Sequence, residues 1–174
     1  MIAAIVLAAG ASTRFGSPKQ ALLLPRVLAR VRASSADDVV VVLGAHVLET
    51  DARAVRCDEW ARGPGASLRC GLAALGSEAE AAVVVLADGP NLAPAAVDRI
   101  VEAWREFGAE VVAASYGGER GHPVLLARPA WGRVPDEGAR ALSPLLVPCD
   151  DLGPPGDVDT ADDLGRYPVS PEEP

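Results

Sequence analysis

Ile2-Ala3-Ala4-Ile5-Val6-Leu7-Ala8-Ala9-Gly10-Ala11-Ser12-Thr13-Arg14-Phe15-Gly16-Ser17-Pro18-Lys19 joins an apolar run to a turn of small residues, hydroxyls and cations. Residues 2–7 have the length and composition of a strand buried on both faces. The small residues that follow let backbone N–H groups approach a phosphate chain closely. Arg14 and Lys19 bring the positive charge that a triphosphate requires. The spacing is not that of a P-loop, G-x-x-x-x-G-K-[ST], because five residues separate Gly10 from Gly16 and the lysine comes three residues later. Nor is it G-x-G-x-x-G, so a dinucleotide site, and an oxidoreductase with it, is disfavoured.

Outward from this stretch, apolar runs alternate with helical patterns. Residues 39–43, 82–87 and 110–114 are short and rich in valine or alanine, and read as further buried strands. Residues 20–33, 66–76 and 94–107 read as helices; the last opens at Pro94 and stops before Gly108. The alternation predicts a three-layer α/β/α sandwich with a mostly parallel, Rossmann-like sheet. Ligands in such sheets sit beyond the carboxyl ends of the strands, where both 8–19 and the segment after Ala87 fall. One domain over 1–167 is expected, with 168–174 as a frayed tail.

Composition narrows the partners. Hydrophobic residues make up 49% of the 174 and aromatics only 4%, so the core must be built from Ala, Val and Leu. A net charge of −8 argues against nucleic acid or an anionic membrane, and means that a polyphosphate site must carry its own cations. No stretch is long and apolar enough to span a bilayer, and the N-terminal run lacks the basic flank of a signal peptide. Cys57, Cys70 and Cys149 are dispersed, which predicts three unpaired thiols in a reducing, cytoplasmic setting.

Several polar groups have the setting for chemistry. Asp88 closes the run 82–87 and is turned away at once by Gly89 and Pro90, a place from which a carboxylate can hold Mg²⁺ beside a phosphate; an Asp-Gly turn is the plain alternative. Asp157 and Asp159 flank Val158 and share one face of an extended segment, so either can serve as a second metal ligand. Asp162 and Asp163 fit a helix start. Gly117-Gly118-Glu119-Arg120-Gly121-His122-Pro123 is dense in glycine, and His122 is pinned between Gly121 and Pro123; substrate binding and a simple hairpin turn are both open. Ser67, near a helix start, is placed for an anion or for an N-cap. His46 has no comparable setting.

The first motif resembles the signature L-A-[AG]-G-x-S-x-R-x-G-x-x-K of the MobA-like nucleotidyltransferases. Trp60 to Leu72 resembles the W-x-x-G-x-x-x-S-L-x-x-G-L of the molybdenum cofactor cytidylyltransferases, the MocA branch of that family. Gly118 to Leu125 is similar to its G-x-x-G-H-P-V-L, Asp136-Glu137-Gly138-Ala139-Arg140 to its D-x-G-A-R, and 157–164 to its D-[IV]-D-T-P-E-D-L. Ala9 matches the CTP-using branch, where guanylyl-transferring relatives read L-A-G-G. The resemblance implies the nucleotide-diphospho-sugar transferase type of fold and a Mg²⁺-dependent transfer of CMP from CTP, favoured over GTP, to a phosphorylated acceptor such as molybdopterin. It implies Arg14, Lys19 and Asp88 as catalytic residues, and Mg²⁺ on Asp88 with Asp157 or Asp159. Leu7, Ala8, Ala9, Gly10, Ala11, Ser12, Gly16, Ser67, Gly121 and His122 are the implied binding residues. The attacking phosphate is already anionic, so no general base is required. The chain departs from the family in reading Ala87-Asp88-Gly89-Pro90 for Gly-Asp-Gln-Pro, in lacking a Gly-x-Pro turn after Lys19, and in a short stretch from Gly44 to Trp60. These departures motivate two alternatives: a nucleotide-binding relative without turnover, and a transferase acting on another acceptor such as a sugar phosphate.

Overall fold

A computed structural model describes residues 1–11 and 19–158. Strands β1 (Ile2–Ala8), β2 (Asp38–Leu43), β3 (Arg53–Arg56), β4 (Ala81–Leu86), β5 (Val111–Tyr116), β6 (Glu119–Ala127) and β7 (Leu145–Pro148) form one sheet in the order β3-β2-β1-β4-β6-β5-β7. Strand β6 runs antiparallel to both neighbours, β4 and β5; every other pairing is parallel. Helices α1 (Lys19–Arg32), α2 (Pro64–Ala73) and α3 (Pro94–Phe107) cover the sheet.

Alternation along β1 shows how three layers arise from its sequence. Ile2, Ala4 and Val6 pack with Leu24, Val27 and Val31 of α1 and with Val97, Ile100 and Val101 of α3. Ala3 and Ile5 point to the other face, toward Leu68 and Leu72 of α2. A strand buried on both faces has no use for polar alternation, which is why β1 reads as continuous apolar sequence. Each fully buried leucine or isoleucine contributes about 1.5–3 kcal/mol on the transfer scale. Helix α3 ends as its sequence predicts, with Gly108 at φ +65° donating its N–H to the carbonyl of Trp104.

Three strands depart from the sequence reading. β3 and β7 are edge strands, mostly exposed, and the arginines that bound β3 hide its pattern. The glycine-dense segment after residue 116 is a hairpin turn followed by strand. Gly117 and Gly118, at φ +61° and +80°, make a two-residue turn between β5 and β6, and Glu119 already pairs with Tyr116. The expected tail 168–174 and the helix start at Asp162 and Asp163 lie outside the described residues.

The cysteine expectation is corrected. Cys57 and Cys70 form a disulfide, their Cα atoms 5.7 Å apart, because α2 folds back against the exit of β3. Only Cys149 is a free, buried thiol. The argument from unpaired cysteines to a reducing compartment therefore loses its ground. Among the described residues, no helix is long and apolar enough to cross a membrane.

Gly71 sets how closely α2 approaches the sheet. A Cβ there would lie 2.7 Å from Ile5 Cγ2 and 2.8 Å from Val42 Cγ2. Gly71→Ala should destabilise by about 1–3 kcal/mol through overpacking, despite the better helix propensity of alanine. Gly132→Ala meets nothing within 4 Å and should leave stability nearly unchanged. Chemical denaturation of both variants checks this, and equal stabilities would contradict the packing described.

Candidate active site

Parallel pairing brings the carboxyl ends of β1, β2 and β4 to one edge of the sheet, with Ala8 beside Leu43 and Leu7 beside Leu86. The exit of β1 is held residue by residue. Ala9 accepts a hydrogen bond from the N–H of Ala45 at 3.1 Å, Gly10 from Gln20 Nε2 at 3.2 Å, and Ala11 from His46 Nε2 at 2.9 Å. The last contact requires the proton of His46 on Nε2. Three consecutive carbonyls at the start of the turn are thus engaged by the protein. Sequence reasoning gave His46 no part in this, because its partner lies 35 residues away. Ala8 and Ala9 are buried and Gly10 is exposed. Ser12, Arg14 and Gly16 lie outside the described residues, as does the side chain of Lys19.

Asp88 stands just past β4, in the turn after Ala87, as the sequence predicts. Its carbonyl accepts the N–H of Val158 at 3.2 Å, which lays the segment carrying Asp157 alongside it. Val158 is fully buried and Asp157 exposed, so the two side chains diverge as extended backbone requires. Asp159 lies outside the described residues. The carboxylates of Asp88 and Asp157 are hard oxygen donors of the kind Mg²⁺ takes from a protein, so their chemistry fits the ion the resemblance implies.

The missing glutamine of the family motif has a packing counterpart. A Cβ on Gly89 would come 3.1 Å from Pro155 Cβ. The strap 153–157 crosses at this point, with Pro155 accepting the N–H of Asn91 at 2.9 Å. Upstream the strap is fixed by Arg99, which donates to both carboxylate oxygens of Asp151 at 2.7 and 2.9 Å and to the carbonyl of Pro148 at 2.9 Å.

Because β6 is antiparallel, its entrance rather than its exit reaches this edge. His122 Nδ1 donates to the carbonyl of Val84 at 3.4 Å, which leaves Nε2 as an acceptor. Burial pushes the pKa of His122 down; Arg120 adds to this, while the Val84 bond and Asp88 act the other way. The Tyr116 hydroxyl donates to the His122 carbonyl at 3.0 Å, and burial pushes the phenol up to about 12. Gly121 is needed for packing: a Cβ there would meet the Tyr116 ring at 2.8 Å. Gly121 also lines the larger of the cavities described next.

Two cavities meet at His122 and Arg120. The larger, about 500 Å³, also takes in Leu92, Tyr116, Gly121 and Asp157. The smaller, about 190 Å³, reaches Leu7, Leu68, Glu137 and Arg140. Ser67 borders neither. It is buried within α2, four residues past the helix's Gly63 cap, so the N-cap reading is also corrected. The N–H of Gly65 at that helix start already donates to the Asp136 carbonyl at 2.9 Å. Asp136 in turn pairs with Arg69 and Arg62, and these hold its carboxyl below the usual range. The Asp136–Arg140 motif therefore serves to dock a loop on α2.

Residues 4–144 match the MobA-like NTP transferase domain. The chain belongs to the MobA-like NTP transferase family. Its structure is similar to that of Rv0371c from Mycobacterium tuberculosis H37Rv, with 31% identity, 98% of this chain and 99% of that chain covered, and a TM-score of 0.79. A complex of the same mycobacterial protein with manganese matches at 29% identity over 95% and 96% of the two chains, with a TM-score of 0.72. Molybdopterin-guanine dinucleotide biosynthesis protein A from Archaeoglobus fulgidus shares the fold at 16% identity, covering 95% and 96%, with a TM-score of 0.67. No curated protein matches in sequence. Membership confirms the expected sheet-and-helix architecture and makes the chain a nucleotidyltransferase-family protein.

The buried imidazole makes a pH prediction. His122 titrates below its ordinary value near 6.5 when folded, so the unfolded chain binds the proton more readily. Its contribution to stability is complete above that value and is lost as pH falls through the folded pKa. Denaturation midpoints of the wild type should therefore drop more steeply between about pH 7 and 5 than those of His122→Gln. Parallel profiles would show that His122 is not held neutral by burial.

Proposed function

We propose that the protein transfers CMP from CTP to a phosphorylated acceptor, with a molybdopterin-type pterin as the acceptor its motifs favour, and releases pyrophosphate. The observation that supports this reading is the hydrogen bond from the Val158 N–H to the Asp88 carbonyl, which lays the segment carrying Asp157 alongside the turn after β4. Ala9 at the position where guanylyl-transferring relatives have glycine supports CTP over GTP, and the run Gly118–Leu125 supports the cytidylyl branch. Asp88 with Asp157 or Asp159 would hold Mg²⁺, a role consistent with the manganese complex of the mycobacterial relative. The ion would supply charge neutralisation on the phosphates.

The chain's own residues do the rest by positioning. Amides of the turn after Ala9 bind the phosphate chain, and Arg14 and Lys19 stabilise the departing pyrophosphate. An oxygen of the acceptor phosphate attacks the α-phosphorus in line, the bond from that phosphorus to the pyrophosphate oxygen breaks, and no proton need move. The strap 153–157 passes over Gly89, where the family motif carries glutamine.

Calorimetric titration of CTP and GTP, each with and without Mg²⁺, tests the reading. CTP should bind in a Mg²⁺-dependent way and GTP more weakly, and Asp88→Asn should abolish the metal dependence. Lys19→Ala should slow pyrophosphate release by about 10²–10³, the scale of a lost charge-stabilising donor. Failure of both nucleotides to bind the wild type would refute the proposal.

A further inference from the structure

Arg120 combines three properties that no other arginine of the described site shares. Its side chain borders both cavities. Its guanidinium makes no ion pair among the described residues; it is held instead by carbonyls. Nη1 donates to Leu142 at 2.6 Å and to Arg140 at 3.3 Å, and Nη2 donates to Ala139 at 2.9 Å. A guanidinium has five N–H donors. Three are thereby spent on the 139–142 segment, leaving Nε–H and one Nη2–H without a partner among the described residues. Arg69 and Arg62, by contrast, are committed to Asp136, and Arg99 to Asp151.

A cation half-buried at a cavity wall, rigidly oriented and not neutralised by a carboxylate, is costly unless an anion arrives. Burial lowers the pKa of Arg120, but an arginine stays charged at any working pH. Its position fixes which anion. β6 enters the site from the side opposite β1, and Arg120, two residues before His122, shares with it the walls of both cavities. The reaction under "Proposed function" must bring two anionic phosphates together. The cations of the turn 10–19 serve the nucleotide, so the approaching phosphate needs a positive partner on its own side.

We propose that Arg120 holds the phosphate group of the acceptor through Nε–H and the open Nη2–H, with neutral His122 beside it as a hydrogen-bond acceptor for the acceptor's N–H or O–H groups. This rests on the nucleotidyltransferase reading for its place in the reaction, but the anion site itself does not. The held phosphate is the nucleophile: one of its oxygens bonds to the α-phosphorus as pyrophosphate leaves. Two guanidinium N–H groups fix its orientation in the way a carboxylate–arginine fork does.

The test uses fluorescence titration of the full chain with 6-hydroxymethylpterin phosphate and with unphosphorylated 6-hydroxymethylpterin, alongside calorimetric titration of CTP with Mg²⁺. The wild type should prefer the phosphorylated pterin by at least about tenfold. Arg120→Lys keeps the charge but loses the fork, and should bring that preference below about threefold while CTP binding is unchanged. Should the lysine variant fail to unfold cooperatively, phenylglyoxal labelling of the wild type, read by mass spectrometry, replaces it. The phosphorylated probe should then protect Arg120 and the unphosphorylated one should not. No phosphate preference in the wild type, an unaltered preference in a folded Arg120→Lys, or no protection would each overturn the proposal. Loss of CTP binding with the preference intact would instead refute the cytidylyl reading and leave the anion site standing.

Discussion

The structure depends on β1 being hydrogen-bonded along both edges and buried on both faces. Parallel β2 and β4 fix its register to the residue, and α2 on one side and α1 with α3 on the other leave it no freedom to shift. A chain leaving such a strand does so from a fixed point and in a fixed direction. The turn after Ala8 can then be aimed by three hydrogen bonds to its carbonyls, because its root does not move. Electrostatic stabilisation of a phosphate, the role proposed for this turn, is worth most when donors need no reorganisation, and a turn rooted on a fixed strand suits that role.

The core, being almost all Ala, Val, Leu and Ile, was legible from sequence because buried parallel strands need no alternation. The four strands read from apolar runs are all present, as are the three helices. What was illegible has three causes. β3 and β7 are paired on one edge only, so their sequences carry the marks of exposure. β6 begins with turn residues, because an antiparallel strand enters the site through a hairpin. The Cys57–Cys70 link and the contact of His46 with Ala11 join residues 13 and 35 positions apart, and such pairings exist only once the helices are docked.

In the site, residue type was more legible than role. Asp88 lies where strand-end logic put it, just past β4. Gly121 and the Asp136–Arg140 motif were marked out correctly as unusual, yet the first answers to a tyrosine ring and the second to the start of α2. Arg120 was overlooked between two glycines. Its distinguishing property, a guanidinium held by carbonyls in place of carboxylates, has no signature in a one-dimensional string.

The strand order divides the molecule at a single seam. Residues up to α2 supply β3-β2-β1, everything later supplies β4-β6-β5-β7, and the sheet is stitched only between β1 and β4. The turn after β1 belongs to the first half; Asp88, Arg120, His122 and Asp157 belong to the second. The two flanks of the proposed site are therefore encoded in separate stretches of the chain. Drift in one stretch can alter what its flank accepts without disturbing the other, and a recombination point in the connection between α2 and β4 would exchange one specificity while keeping its counterpart.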